Sequence, residues 1–147
     1  FVFFLDADLV GLDQGNISSI IEPIIEGKAD VGISLRKNAP RLWHMIGIDY
    51  ISGERVFKKS ILENHIDEIL TIPRFGLEVF LNRLIIKNGN KIKIVQWNNV
   101  ESPYKYNKQG WYKGIKGDIF MMIDIFRTVT IFGPIYQIIK MRKIIVK

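Results

Sequence analysis

Two carboxylates spaced i, i+2, Asp6 and Asp8, follow directly on the apolar run Phe1-Val2-Phe3-Phe4-Leu5. An apolar run of that length reads as a buried strand, because neither face carries a polar residue. Positions i and i+2 of a strand point the same way, and a following turn can bring both oxygens to one point. Two carboxylates at the C-terminal end of a buried parallel strand suit a hard divalent cation, Mg²⁺ or Mn²⁺. Such an ion takes oxygen ligands and keeps positions open for phosphate oxygens. A strand ending in a solvated acidic turn is the other reading of the same residues.

Three more stretches carry chemistry. Glu78 falls in the first turn of a helix patterned Leu77, Phe80, Leu81, Leu84, Ile85. The helix macrodipole alone would justify a carboxylate there, and the same placement aims a carboxylate into a cleft. Gly53-Glu54-Arg55 sets a glycine that permits close backbone approach beside two adjacent charges, which face opposite ways if the segment is extended. A solvated turn accounts for these charges as well as a ligand contact does. The segment Val100–Gly114 mixes Tyr104, Tyr106, Trp111 and Tyr112 with Lys105, Lys108 and Lys113 and two glycines. That mixture suits a loop that grips phosphate, lysine serving as a point charge; a plain solvated loop is the alternative. His44 stands alone and reads as structural.

The elements that must position these groups follow from periodicity. Residues 9–15 read as a loop, and Asn16 caps a helix through Ile17, Ile20, Ile21, Ile24 and Ile25, with Pro23 inside the pattern and Gly27 as a stop. Ala29–Ser34 is a second short buried strand, which makes residues 1–35 a βαβ unit with the carboxylates at the C-terminal edge of its first strand. Open α/β sheets bind ligands at that edge. Arg36–Asp49 is a loop leading to a short helix, Lys58–Leu70 is helical, and Lys91–Trp97 alternates strictly, as a half-exposed strand does. From Lys113 to Thr130 and again from Ile135 to Val146 the chain is apolar, basic and helical, with Gly133-Pro134 between. The longest uncharged stretch, Thr128–Ile139, has 12 residues, too short to span a bilayer.

The 147 residues suffice for one domain with a core. Without cysteine, disulfides and thiolate metal sites are excluded. Residues 1–82 carry 8 Lys/Arg against 12 Asp/Glu, a net of −4, and residues 83–147 carry 13 against 3, a net of +10. An acidic half holding a D-x-D beside a basic half points to a metal and an anionic partner, a phosphorylated ligand or a membrane surface. No nucleic-acid motif accompanies the charge. The chain opens inside an apolar strand without a Met, which reads as an N-terminal truncation.

Taken in order, FVFFLDADLVG, ADVGISLR, SGERVF, FGLEVFLN and SPYKYNKQGWYKG resemble the family 2 glycosyltransferases over residues 1–117. The nearest group is that of the dolichyl-phosphate mannose synthases and the glucosyl-3-phosphoglycerate synthases, the second being retaining enzymes on the same fold. The resemblance implies an α/β, Rossmann-like GT-A fold, of which residues 1–112 are the metal and acceptor side, with nucleotide-binding strands missing upstream. Residues 113–147 are then a basic amphipathic helical tail. It implies that Asp6 and Asp8 hold Mg²⁺ or Mn²⁺ and the nucleotide-sugar diphosphate, and that Gly53, Glu54 and Arg55 lie on the acceptor side. Glu78 falls where such enzymes place a base or acceptor anchor, and Lys105 and Lys108 match the basic loop on the donor diphosphate. Ser102 stands where many relatives have a further metal-binding histidine.

The implied activity is transfer of a hexose from a nucleotide-diphosphate sugar to a small phosphorylated or lipid-linked acceptor, by a fragment inactive alone. The implied place is cytoplasmic, peripheral on the inner membrane face, with no nucleic acid as partner. A reading of a different class is a non-catalytic membrane-surface or partner-binding module with a vestigial D-x-D. A weaker third is a phosphohydrolase with an aspartate nucleophile after its buried strand.

Overall fold

In a computed structural model, residues 1–72, 76–102 and 133–146 are described. They form a mixed α/β arrangement around a five-stranded sheet of order β1-β3-β2-β4-β5. The strands are β1 (Val2–Phe4), β2 (Val31–Arg36), β3 (Arg55–Phe57), β4 (Ile92–Trp97) and β5 (Ile145–Val146). β3 pairs antiparallel with both β1 and β2, whereas β2, β4 and β5 run parallel. β1 and β2 therefore point the same way but are not neighbours. The expected βαβ unit is split by a strand that arrives later in the sequence.

The same insertion corrects the reading of the first strand as fully buried. Val2, Phe3 and Phe4 are half-buried and Leu5 is exposed, because among the described residues β1 ends the strand order and β3 is its one partner. The buried strand is β2, whose Val31, Ile33 and Leu35 enter the larger core.

Helices cover both faces of the sheet. On one side α1 (Gln14–Ile25) brings Ile20 and Ile24 against Val56, Trp97 and Val100. Gly32 of β2 makes this approach close, since a Cβ there would sit 2.7 Å from both Ile20 Cγ1 and Ile20 O. The cap of α1 is Asp13 rather than Asn16. Asp13 Oδ1 accepts from Asn16 N at 2.8 Å and Asn16 Oδ1 accepts from Asp13 N at 3.0 Å, so each residue satisfies an end group of the other.

On the other face lie α2 (Arg41–Ile46), α3 (Lys59–Leu62), α4 (Ile66–Thr71), α5 (Gly76–Asn88) and α6 (Gly133–Lys143). The continuous helix expected over Lys58–Leu70 is broken by a 3₁₀ turn at Glu63–His65, where Asn64 and His65 are weak helix formers. α5 follows its apolar pattern and buries Val79, Leu81, Leu84 and Ile85. At the C-terminal end the expectation of helix through Val146 also fails. α6 stops at Lys143, and the β-branched pair Ile145-Val146 joins the sheet beside β4. Met141 is fully buried in the larger core, and Gln137 Oε1 accepts from Tyr50 Oη at 2.7 Å, so residues 133–146 are packed into the domain. Among the described residues no helix is long and apolar enough to cross a membrane.

Candidate functional site

β3 explains how distant acidic residues meet. Its register sets Phe4 opposite Arg55, so the antiparallel pairing, carried two residues on, brings Asp6 beside Gly53. A Cβ on Gly53 would lie 2.5 Å from Asp6 Oδ1. Only a glycine leaves the carboxyl group room against that backbone. On the opposite side of the same turn, Ser34 N donates to Glu54 O at 3.1 Å, which ties the end of β2 to the start of β3.

From this start the chain sends its two charges to opposite faces, as an extended segment must. Neither is solvated: Glu54 is 0% and Arg55 1% exposed. Glu54 Oε2 accepts from Ser34 Oγ and from Ser52 Oγ, both at 2.9 Å, and Arg36 Nε lies 3.4 Å from it. Glu54 Oε1 has no hydrogen-bond partner. Arg55 is saturated. Its Nε donates to Ser52 O at 2.7 Å, Nη1 to Asn82 Oδ1 at 2.6 Å and Nη2 to Tyr50 O at 2.7 Å. Burial pulls its pKa down, against the charges of Glu78 and Asp49. Of the two readings the sequence left open here, a solvated turn or a ligand contact, the turn gives way to a buried charge network, in which each nitrogen of Arg55 donates to one of the chain's own oxygens.

Asp6 itself is exposed, but its carboxyl group is partly covered. That cover, then the neighbouring carboxyl group of Glu54, raise its pKa, with Arg36 opposing and Asp8 adding a smaller push. Asp8 is exposed. Behind this pair, Asp49 is 1% exposed. Burial pushes its carboxyl up to about 6, even with Arg36 and Arg55 acting to lower it, and its Oδ1 accepts from Ile51 N at 3.2 Å.

Beside Asp6 a cleft of about 170 Å³ opens at the C-terminal end of β1. Phe4, Leu5, Asp6, Ser52, Gly53, Arg55, Leu77, Glu78 and Leu81 line it. Asp6, Gly53, Arg55 and Glu78 are therefore brought together, with Glu78 in the first turn of α5 as expected. Glu54 lies behind the cleft and Asp8 outside its lining. Lys105 and Lys108 lie outside the described residues. Ser102 is joined to Asn38, whose Nδ2 donates to Ser102 O at 2.7 Å and whose Oδ1 accepts from Ser102 N at 3.3 Å. His44 is exposed.

Among the described residues no group of three or more His, Cys, Asp or Glu is gathered so as to hold a metal ion. The donors that are present are hard oxygens, and one or two carboxylates together with substrate phosphates are a usual set for Mg²⁺. The sequence reading missed Ser34, Arg36, Ser52, Asp49 and Asn82. One signal was available: Ser34 is a polar residue inside an otherwise apolar strand, and a buried hydroxyl needs a polar partner. No protein-family model, no curated protein and no solved structure matches this chain.

Proposed function

We propose that the chain is the metal and acceptor side of a glycosyltransferase that moves a hexose from a nucleotide-diphosphate sugar. The observation that carries this is the convergence of Asp6 and Glu78 on one cleft. They are far apart in sequence and arrive from β1 and α5, at the sheet edge where α/β folds bind ligands. In this reading Asp6 and Asp8 hold Mg²⁺ or Mn²⁺. A divalent ion there would stabilise the negative charge that builds on the departing diphosphate. Glu78 takes the proton of an acceptor hydroxyl, a duty that lapses if the acceptor is already an anion such as a lipid phosphate. Phe4, Leu77 and Leu81 form an apolar wall that excludes water from the transfer. Gly53 admits the Asp6 carboxyl, and Glu54 and Arg55 brace the acceptor side from behind. Lys105 and Lys108 take the donor diphosphate.

The test is calorimetric, on the protein expressed from its complete reading frame with a panel of nucleotide-diphosphate hexoses. Binding that requires Mn²⁺ and is lost in Asp8→Asn is the expected result. Donor binding that ignores both the metal and Asp8 would leave Asp6-Ala7-Asp8 a solvated acidic turn.

A second reading concerns location. Ile135, Tyr136 and Ile139 of α6 are about half exposed, beside exposed Lys140, Arg142 and Lys143. Apolar burial with attraction of about 1 kcal/mol per basic residue near an anionic surface favours peripheral binding at the inner face of a membrane. Co-sedimentation with anionic but not neutral vesicles, weakened by Tyr136→Glu, is the expected result; a protein that stays in the supernatant at low salt is not peripheral.

A further inference from the structure

We infer that Asn99 is a positioning residue for the Asp6-Ala7-Asp8 turn. It holds the chain that leaves the turn against the end of β4, and so fixes where Asp8 presents its carboxylate. This rests on the reading of Asp6 and Asp8 as ligands of a divalent cation.

Residues 5–13 join β1 to α1 without a strand or helix of their own, and both carboxylates lie in this stretch. Its near end is set by the pairing of β1 with β3 and by the close approach of Asp6 to Gly53. Its far end is set by the chain beyond β4. Val10 N donates to Glu101 O at 2.8 Å and Glu101 N to Val10 O at 2.9 Å, an antiparallel bridge. Next to this bridge, Asn99 Nδ2 donates to Gly11 O at 3.0 Å, to Asp13 Oδ2 at 3.1 Å and to Asn16 Oδ1 at 3.2 Å. Asn99 Oδ1 accepts from Asn16 Nδ2 at 3.0 Å. Gly11 has a φ of 82°, and a Cβ on it would run into the Asn99 carbonyl. Glycine alone tolerates both that conformation and that approach.

Two features separate positioning from plain support of the fold. The N-cap of α1 is complete without Asn99, since Asp13 and Asn16 already satisfy each other's backbone N–H. What the Asn99 amide adds is the tie to the Gly11 carbonyl. Asn99 is also exposed, so it fills no part of either core. Behind it the frame is packed: Ile20 and Ile24 of α1 share one core with Trp97 and Val100, the residues that flank Asn98-Asn99. Asn99 passes the position of that packed frame to the loop. Between Asp6, lodged against Gly53, and Val10, bridged to Glu101, stand Ala7, Asp8 and Leu9, and Leu9 packs against the same core. A span this short, held at both ends, gives the Asp8 carboxylate a fixed place. A cation with few protein ligands depends on such support from the residues behind them.

The probe is Mn²⁺ alone, added to the protein from its complete reading frame and read as free Mn²⁺ by electron paramagnetic resonance. Asn99→Ala is expected to weaken binding by about tenfold, the low end of what supporting residues contribute at metal sites, while the urea midpoint moves little. Rescue separates position from stability. Val10 and Glu101 form a hydrogen-bonded antiparallel pair, whose Cα atoms sit about 5.5 Å apart, a span a disulfide can bridge. No cysteine among the 147 residues competes. Adding Val10→Cys and Glu101→Cys to Asn99→Ala should restore the affinity when oxidised and lose it again on reduction. Unchanged affinity in Asn99→Ala overturns the inference, as does a loss that the cross-link leaves unrepaired. Should Asn99→Ala fail to fold, Asn99→Asp takes its place, since it keeps an oxygen for Asn16 but cannot donate to Gly11. An added carboxylate attracts Mn²⁺ by charge alone, so weaker binding there reports lost geometry, and equal or tighter binding overturns the inference. Mn²⁺ binding that responds to Asp8→Asn but not to Asn99 removes this inference and keeps the metal role in the transferase reading. Binding indifferent to Asp8→Asn removes both.

Discussion

Replacing Asp49 by Asn should stabilise the protein at neutral pH and do little near pH 4. Asp49 is buried behind the site, and its carboxyl titrates at about 6 in the folded chain against an ordinary value of 3.8. Between these values the folded state binds a proton that the unfolded state does not. Stability therefore falls as pH rises from about 4 to about 6 and stays lower above that. A shift of about two units at about 1.4 kcal/mol each gives a loss on the order of 3 kcal/mol. The amide of Asn cannot ionise, and its oxygen can still accept from Ile51 N. Unfolding both proteins in urea across pH 4–8, followed by tryptophan fluorescence, gives the difference by linear extrapolation. Asp6 and the other acids titrate in both proteins and cancel in that difference. The expected gain of Asp49→Asn grows from near zero at pH 4 to about 3 kcal/mol at pH 7. A variant less stable than the parent at pH 7 would refute the reasoning, for it would mean that Arg36 and Arg55 hold Asp49 ionised against its burial.

Gly53→Ala should abolish Mn²⁺-dependent donor binding in calorimetry while the thermal melt stays cooperative, because the new methyl group would meet Asp6 Oδ1 at 2.5 Å and push it aside. Arg55→Lys should lower stability in urea by about 3 kcal/mol or more: an ammonium cannot reproduce a planar fork reaching Ser52, Asn82 and Tyr50, and broken buried charge contacts cost on this scale. Glu78→Gln should lower turnover by about 10²–10⁴ with donor affinity nearly intact if the carboxylate is a base, whereas equal loss of both, or of folding, marks it as a helix-start carboxylate.

The periodic parts of this chain were legible because periodicity reports local burial. Leu77, Leu81 and Leu84 announced α5, and the alternation from Lys91 to Trp97 announced β4. The position of Glu78 followed from its helix. What the sequence hid is the late insertion of β3 between β1 and β2. Arg55-Val56-Phe57 is too short for a clear period, and pairing across some fifty residues leaves no local trace. Without β3, the partners of Asp6 could not be read. Asp8 shares its local spacing, whereas Gly53 and Glu54 meet it only through antiparallel register. The C-terminal end was misread for a related reason. Ile145 and Val146 become a strand because β4 offers an edge to pair with, a condition set by the fold.

The two charges at the start of β3 illustrate how a structural ion can be told from a functional one. Each is buried, and each is adjacent to the other in sequence, so composition and exposure do not separate them. Hydrogen bonding does. Arg55 has a partner on each nitrogen, at Ser52, Asn82 and Tyr50, and a buried ion tied in this way locks a loop to a core. Glu54 is satisfied on one oxygen and bare on the other. A half-satisfied buried carboxylate is worse for folding than an apolar residue of similar size, so stability alone does not account for its being there. The same strand thus ties a loop to the core through Arg55 and carries in Glu54 a buried carboxylate with one oxygen unpaired.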